Sequence, residues 1–291
     1  MRRVGKPAPA PAARPPASLE WAALLTAVVL VAALLHAIWN AILKPVDDRL
    51  QVLALGFLAL SGACLVVAPF AVPVRAAWPF LATSCLLHGI YNVSLSRCYR
   101  LGDFNQVYPL ARGTSPLVVA VAAAVVAGEH LSGGRLAGVL VISAGLAVLA
   151  GRPHPGQGPA VRMAIATGLL ISAYTVVDGL GVRHAQDALA YTVWLFAAEG
   201  VVMLPFVVGT TGLVRARWRR GCLTAVLAGV AYGLVIWAQR RGALAEVAAL
   251  RETSVVAAAI IGAAVFKERL GARRVVMSGM VAAGIALLNL A

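Results

Sequence analysis

Ionisable side chains within long apolar segments are the residues of this sequence best suited to chemistry. Five of them interrupt such segments: Arg112, Asp178, Glu199 and the adjacent pair Arg251 and Glu252. A charged group at the centre of a bilayer costs about 2.5–3.5 kcal/mol on insertion scales, so it normally faces a water-filled cavity or a charged partner. These residues could therefore bind a charged solute, carry a proton or form buried ion pairs.

Each of these groups has a structural interpretation beside the functional one. Glu199 could take up and release a coupling proton, or it could form a fixed hydrogen bond between two helices. Arg112 and Arg251 could bind a solute, or they could act as structural pins that pair with backbone carbonyls or acidic neighbours. Both alternatives stay open at the level of the sequence.

Polar and aromatic side chains also share helical faces at two places. The two faces, each with close helical spacing, are formed by His36, Trp39 and Asn40 and by His88, Tyr91 and Asn92. Single aromatic residues in apolar segments are more often interface anchors or packing residues than ligand contacts. Two matching faces favour a shared cavity, and Tyr108, Tyr174 and Tyr232 are weaker candidates of the same kind.

The composition places these residues in a membrane protein. Of 291 residues, 61% are hydrophobic and 12% are charged, and the mean hydropathy is +0.86. Soluble domains contain about 45–50% apolar residues, so lipid must cover much of this surface. A hydrocarbon core about 30 Å thick requires about 20 apolar residues per helix, which limits a chain of this length to about ten crossings.

The formal net charge of +14 has a membrane explanation. Lys and Arg are concentrated between the apolar runs, for example in 215–220 and 267–274, where they would meet lipid headgroups. The cluster at 267–274 contains no aromatic residue and the one at 215–220 contains only Trp218, and neither forms a helical recognition stripe, so we expect no nucleic-acid partner. Residues 1–18 form a basic, proline-rich tail that we expect to be disordered. The cysteines lack metal-site spacing, and we expect no metal, other cofactor or disulfide.

Apolar runs bounded by proline, glycine and charge clusters predict ten transmembrane helices. The predicted spans are 20–43, 50–72, 77–98, 104–127, 132–151, 160–181, 188–209, 219–239, 243–266 and 270–290. The third, fourth and ninth runs are the least apolar, because they contain the polar candidates. Barrel strands would alternate over about ten residues, whereas these runs are continuous. The predicted fold class is therefore an all-α integral membrane protein.

The chain is an internal duplication, divided by a Gly- and Pro-rich linker at 152–159. A constant offset of 139 residues aligns identical residues of the two halves. The aligned pairs are Arg112 with Arg251, Thr114 with Thr253, Ser115 with Ser254, Glu129 with Glu268, Leu131 with Leu270 and Gly145 with Gly284. We assign 19–151 to a first five-helix repeat and 160–291 to a second.

An odd number of crossings per repeat determines how the two repeats are related. Five crossings deliver the second unit to the membrane upside down, so the repeats are expected to be inverted about an axis in the membrane plane. Inverted repeats provide two packings of similar energy around one central site, as alternating access requires. The sequence therefore predicts two inverted five-helix repeats and a secondary transporter for small molecules.

Four segments resemble the EamA-type transporters of the drug/metabolite transporter superfamily. They are HAIWNAILK at 36–44, YPLARGTSP at 108–116, GEHLS at 128–132 and KERL at 267–270. The resemblance implies ten helices, a central cavity and transport of amino acids, metabolites or drug-like solutes. Small four-helix relatives use a membrane-embedded glutamate on their first helix, whereas the first helix here offers only His36, Trp39 and Asn40. The coupling mechanism therefore does not carry over.

Transport competes with two other classes of function. A membrane enzyme would need a nucleophile with its base or clustered metal ligands. Neither HExxH nor GxSxG occurs, so we expect no enzyme activity. The remaining alternative is a non-transporting scaffold or a lipid-handling subunit, which would leave Glu199 and Arg112 without a role.

Positive charges and small residues bear on the membrane orientation and the partners of the chain. Lys and Arg are more numerous on the loops opposite the termini, which favours termini outside, whereas the resemblance implies termini inside. GxxxG spacings at Gly134 and Gly138 and at Gly229 and Gly233 permit close helix packing, within a monomer or in a homodimer. The expected partners are a small-molecule substrate, the bilayer of the cytoplasmic (inner) membrane, and a coupling proton or exchanged solute.

Overall fold

The computed structural model describes residues 19–46, 49–72, 74–102, 104–152, 156–207, 211–267 and 271–290. Regular structure within these ranges is helical, and they contain no strand. Several predictions fall on other residues: the tail at 1–18, the middle of the linker at 153–155, and Glu268 and Leu270 of the second repeat all lie outside the described residues.

Five helices form the described first half of the chain. They are α1 (Leu19–Leu43), α2 (Arg49–Val67), α3 (Trp78–Leu101), α4 (Phe104–Ala127) and α5 (Gly133–Ala150). Short 3₁₀ turns extend α2 and precede α3. The Ser132 side chain accepts a hydrogen bond from the backbone N–H of Arg135 and thereby caps α5.

The second half continues the same alternation of helix and short connection. Its described helices are α6 (Gly158–His184), α7 (Ala188–Met203), α8 (Thr211–Arg241), α9 (Leu244–Arg251), α10 (Thr253–Phe266) and α11 (Ala272–Leu290). The Asp187 carboxylate accepts a hydrogen bond from the backbone N–H of Ala190 and caps α7. Because α6 begins at Gly158, the connection between the halves is shorter than the predicted linker.

Nine segments of the described chain are helical, long and apolar enough to cross a membrane. One of them, Leu244–Phe266, comprises α9 and α10 together. The 24-residue helix α3 is not among the nine, because it carries polar side chains such as His88 and Asn92. It packs against α6 and α7. The chain is thus an all-helical, multi-pass membrane protein.

Two of the differences from the predicted spans have a local explanation. The ninth predicted run is divided at Glu252 into α9 and α10, where the helix tightens: the backbone N–H of Glu252 donates to the carbonyl oxygen of Ala249 at 3.1 Å, and that of Val255 donates to the carbonyl oxygen of Glu252 at 3.0 Å. Helix α8 begins at Thr211 rather than 219, because the basic stretch at 215–220 continues the helix beyond its apolar part. Apolarity marks the membrane-embedded portion of a helix, whereas backbone hydrogen bonding continues into charged sequence.

Helices of the two halves pack against each other throughout the bundle. The main cross-half pairs are α5 with α11, α3 with α6, α4 with α6, α1 with α8 and α2 with both α7 and α8. Glycines allow the closest approaches: a Cβ on Gly138 would lie 2.8 Å from the backbone oxygen of Gly284. A Cβ on Gly229 would lie 2.9 Å from Cδ2 of Leu60. Both glycines therefore serve packing within one chain.

The exterior of the bundle is apolar. Large hydrophobic side chains that are more than half exposed occur on several helices, for example Val66, Val125, Leu189, Val201 and Ile260. By contrast, most of the ionisable side chains predicted to be functional are buried. This distribution is the reverse of that in a soluble protein and fits a lipid-covered surface around a polar interior.

Candidate functional site

Four ring side chains from α3, α6 and α8 form an aromatic cluster inside the bundle. The cluster consists of His88, Tyr91, Tyr174 and Tyr232. His88 stacks on Tyr174 with ring centroids 4.2 Å apart. Tyr91 meets Tyr174 edge-on at 5.4 Å, and Tyr232 meets His88 edge-on at 5.8 Å. Such rings offer apolar faces and polar edges, so they could hold an apolar or cationic group.

The orientation of His88 is fixed by its own helix. Its Nδ1 lies 3.0 Å from the carbonyl oxygen of Ser84, one turn earlier in α3. When Nδ1–H donates to this oxygen, the neutral imidazole carries its acceptor lone pair on Nε2.

Asp178 lies beside the cluster, fully buried on α6. Its carboxylate accepts hydrogen bonds from two phenols: the Tyr191 hydroxyl at 2.9 Å and the Tyr232 hydroxyl at 2.5 Å. The second bond fixes one ring of the aromatic cluster, so Asp178 positions Tyr232. Two charge-assisted hydrogen bonds also compensate for part of the cost of burying the carboxylate.

Glu199 is the second acidic group near the cluster. It lies on α7 and is 6% exposed, and its electrostatic neighbours include His88 and Asp178. Within the described residues, Glu199 forms no ion pair with Lys or Arg. A carboxyl group without a fixed cationic partner can change its protonation state without breaking an ion pair. Asp178 and Glu199 together are called the acidic pole below.

A buried ion pair connects the two halves of the chain. Nε of Arg112 on α4 lies 2.7 Å from Oε2 of Glu252, at the junction of α9 and α10, and their side chains are 5% and 0% exposed. Arg112 also donates from Nη2 to the Ser254 hydroxyl at 3.4 Å. Through this contact, the Glu252 carboxylate of the second repeat reaches across to the first.

Arg251 precedes Glu252 and has a different environment. Its side chain is 4% exposed, and its Nε and Nη2 are buried without a hydrogen-bond partner. Oε1 of Glu252 is also unpartnered, so the two adjacent residues do not pair with each other. Arg112, Arg251 and Glu252 are called the basic pole below, because they combine two guanidinium groups with one carboxylate.

Residues predicted from the sequence surround this basic pole. His36 on α1 is close enough to interact electrostatically with Arg112 and Arg251. Tyr108 on α4 interacts with the same two guanidinium groups. Tyr232 links the poles, because it donates to Asp178 and also interacts with Arg251. Helices from both halves therefore contribute to one centre.

Trp39 lies at the edge of this arrangement. Its ring meets that of His36 edge-on at a centroid distance of 4.9 Å, and its other contacts include the apolar side chains of Leu43, Val46 and Val52. The indole Nε1 is buried without a hydrogen-bond partner, so it keeps a donor available. Packing and ligand contact both remain compatible with this position.

The two asparagines are engaged in local contacts. The Asn40 amide donates to the carbonyl oxygen of His36 in its own helix at 2.8 Å. Nδ2 of Asn92 lies 4.0 Å from Sδ of Met203 on α7. Twelve of the fourteen predicted residues thus lie at the acidic or basic pole, in the aromatic cluster, or at the edge of this arrangement. The side-chain amides of Asn40 and Asn92 contact other partners instead.

Sequence reasoning missed Tyr191, which donates to Asp178. It lies in the apolar run of α7, next to Ala190, and no spacing rule relates it to a carboxylate on the preceding helix. The residue type was the only indication of a polar contact in the sequence, since a buried tyrosine hydroxyl usually forms a hydrogen bond. In the part of the chain that the structure describes, no three His, Cys, Asp or Glu side chains cluster as metal ligands.

Comparison with known proteins supports a transport protein. No curated protein matches this chain. A solved structure, described only as the crystal structure of a protein, is similar with a TM-score of 0.75 over 94% of this chain and 98% of that chain. Its sequence identity is 18%, so this likeness shows the fold alone. Residues 158–290 match the EamA-like transporter family, and the resemblance drawn from the sequence is thereby confirmed over the second half of the chain.

Proposed function

We propose that this protein is a secondary transporter that moves small solutes across the cytoplasmic membrane by alternating access. The observation that carries the proposal is the convergence of buried charged and aromatic side chains from both halves on one centre. Such groups are expensive to bury in a bilayer and normally mark a solute or ion pathway. The match of 158–290 to a transporter family supports the same conclusion.

Two inverted five-helix repeats are the architecture that we propose for this transport. Exchange of the halves converts α1 into α6, α3 into α8, and α4 into the combined α9 and α10. The packing follows this exchange: α1 contacts α8 as α6 contacts α3, and α4 contacts α6 as α9 and α10 contact α1. Helices α5 and α11, which are equivalent, contact each other, as do α2 and α7. The proposal counts α3 as a tenth crossing, with its polar face directed inward.

An ion cluster joins the halves on the side of the membrane where α1 begins. Glu129 Oε1 lies 2.6 Å from Nη2 of Arg183, and Glu129 Oε2 accepts from the backbone N–H of Leu244 at 2.8 Å. Arg183 also donates to the carbonyl oxygens of Gln239 at 3.1 Å and Gly242 at 2.9 Å. These contacts tie the end of α4 to the ends of α6 and α8 and to the start of α9. We call this group the terminus-side ion cluster.

The repeat offset relates this cluster to residues on the opposite side. Glu129 corresponds to Glu268, which lies outside the described residues, and Lys44 follows the end of α1 on that opposite side. The Lys44 ammonium lies 4.6 Å from the ring centroid of Phe266, near the end of α10. We propose that the two clusters act as alternating gates, with the terminus-side gate closed in this structure.

Glu199 is the proposed carrier of a coupling proton. It is buried beside His88 and Asp178 and has no fixed cation among the described residues. Uptake of a proton would remove a charge that is costly in the bundle interior, and release would require access to water. Alternating access provides such contact with each side in turn.

The direct experiment uses purified protein in proteoliposomes with an imposed proton gradient. Amino acids, small cations and organic acids are offered as radiolabelled solutes. We expect gradient-dependent accumulation of at least one class, which collapses with a protonophore. Equal uptake by protein-free liposomes for all classes, in both gradient directions, would contradict the proposal.

A further inference from the structure

We propose that Arg251 is the anchoring group for a carboxylate on the transported solute. This inference rests on the proposed transport function and specifies the chemistry of its site. It starts from a difference between two repeat-related arginines, Arg112 and Arg251. The first has a carboxylate partner at 2.7 Å, whereas the second has buried, unpartnered Nε and Nη2 atoms.

The difference arises from one position in the repeat. Arg251 is followed by Glu252, whereas the equivalent Arg112 is followed by Gly113. The first repeat therefore supplies no carboxylate that could pair with Arg251 in the way Glu252 pairs with Arg112. Helix packing explains the glycine, because a Cβ on Gly113 would lie 2.9 Å from Cβ of Leu146 on α5. An acidic side chain has no room there.

The consequence is an uncompensated positive charge in the bundle interior. The basic pole holds two guanidinium groups and one carboxylate, and that carboxylate pairs with Arg112 alone. An arginine side chain stays protonated in proteins. Leaving a buried charged group without a partner is costly. A solute that brings one negative charge would neutralise the basic pole and recover this cost on binding.

The two unpartnered nitrogens of Arg251 indicate the shape of the group that this side chain would bind. Nε and Nη2 form one edge of the planar guanidinium, and two parallel N–H bonds from such an edge match the two oxygens of a carboxylate. Tyr91 and Tyr232 belong to the buried aromatic cluster, and Tyr232 is within electrostatic range of Arg251, so a solute anchored there would lie near aromatic rings. The site therefore fits a small monocarboxylate with an apolar or aromatic body.

The test measures binding rather than transport, with three pairs of probes that differ only in charge. The pairs are butanoate and butanamide, 3-phenylpropanoate and 3-phenylpropanamide, and 3-(indol-3-yl)propanoate and its amide. Affinity is measured by thermal unfolding of the full chain in lipid nanodiscs. We expect wild-type protein to bind at least one acid about tenfold or more tightly than its amide.

Variants assign this preference to the proposed residue. Arg251→Gln should remove the preference and leave amide binding unchanged, whereas Arg251→Lys should retain part of it because the charge persists but the planar fork is lost. Arg75→Gln is the matched control, since Arg75 is exposed in the turn before α3, and it should behave as wild type.

Two results would overturn the inference. One is that wild-type protein shows no preference for the acid in any of the three probe pairs. This result would count against the inference even if Arg251→Gln does not fold. The other is a preference that persists in folded Arg251→Gln. A failure of transport in proteoliposomes with the binding preference intact would refute the proposed function and leave the carboxylate site standing, so the two failures are distinguishable.

Discussion

At the scale of single residues, the balance of charge between Arg112, Arg251 and Glu252 controls the centre of the molecule. One carboxylate compensates one of two buried guanidinium groups. The paired arginine links the two halves, and the unpaired one is the group that we propose to bind a solute carboxylate. A chain with two identical repeats could not separate these roles, so the loss of symmetry at Gly113 and Glu252 is functionally informative.

Breaking the buried ion pair should destabilise the fold. Arg112→Gln leaves the Glu252 carboxylate buried without its cation, and we expect a loss of about 3–5 kcal/mol in the free energy of unfolding. The double variant Arg112→Met with Glu252→Leu removes both charges and should recover much of that loss. Chemical denaturation in detergent micelles measures both effects. Equal stability of wild type and Arg112→Gln would show that the pair contributes nothing to the fold.

Glu199 should separate coupling from solute movement. Glu199→Gln keeps the size and hydrogen-bonding capacity of the side chain but cannot exchange a proton, so gradient-driven accumulation should be lost while solute exchange continues. Glu20→Gln serves as the control, because Glu20 is exposed at the start of α1. Normal accumulation by the Glu199 variant in proteoliposomes would exclude the coupling role.

At the scale of helices, the apolar pattern of the sequence predicted where the helices lie but not which of their side chains contact each other. The predicted span 104–127 coincides with α4, and the end at 266 coincides with that of α10, because glycine, charge and loss of apolarity occur together there. The pairing of Glu252 with Arg112 was not predicted, since the two residues are 140 positions apart in the chain. Spacing along one helix cannot reveal a partner on another.

The same limit applies to the candidate site. Helical spacing selected His36, His88 and Tyr91, and the structure places these side chains near the aromatic cluster or the basic pole. The same argument also selected Asn40, whose amide instead donates to its own backbone. Asparagine can hydrogen-bond to nearby backbone groups as easily as to a solute, so its position on a helical face is weak evidence that it binds one.

The terminus-side ion cluster should hold one gate closed. Glu129→Gln removes the charge that binds Arg183 and weakens the cap on α9 at Leu244. We expect faster modification, by a membrane-impermeant thiol reagent, of a cysteine placed at Gln239 in a background without the native cysteines. Gln239 is fully buried beneath the cluster. The control is Glu246→Gln, which breaks the more exposed pair with Arg135. Unchanged labelling in Glu129→Gln would exclude a gating role.

At the scale of the whole molecule, parity of crossings links the fold to its function. The ten crossings that we propose would place both termini on one side and the connection between the halves on the other. Reporter fusions at Arg2, Gly156 and Ala291 should therefore show the first and last positions together and the middle position opposite. Reporters on the same side at all three positions would rule out inverted repeats.

The central claim is that the two sides of the bundle open alternately, and paired distance measurements test it most directly. Spin labels at His130 and Gln186 report on the side where α1 begins, and labels at Leu101 and Val265 report on the opposite side; all four positions are exposed. In nanodiscs, a transported solute or a change of pH should shift the two distance distributions in opposite directions, one longer and one shorter. Distributions that stay fixed on both sides, or that widen together, would contradict alternating access in this protein.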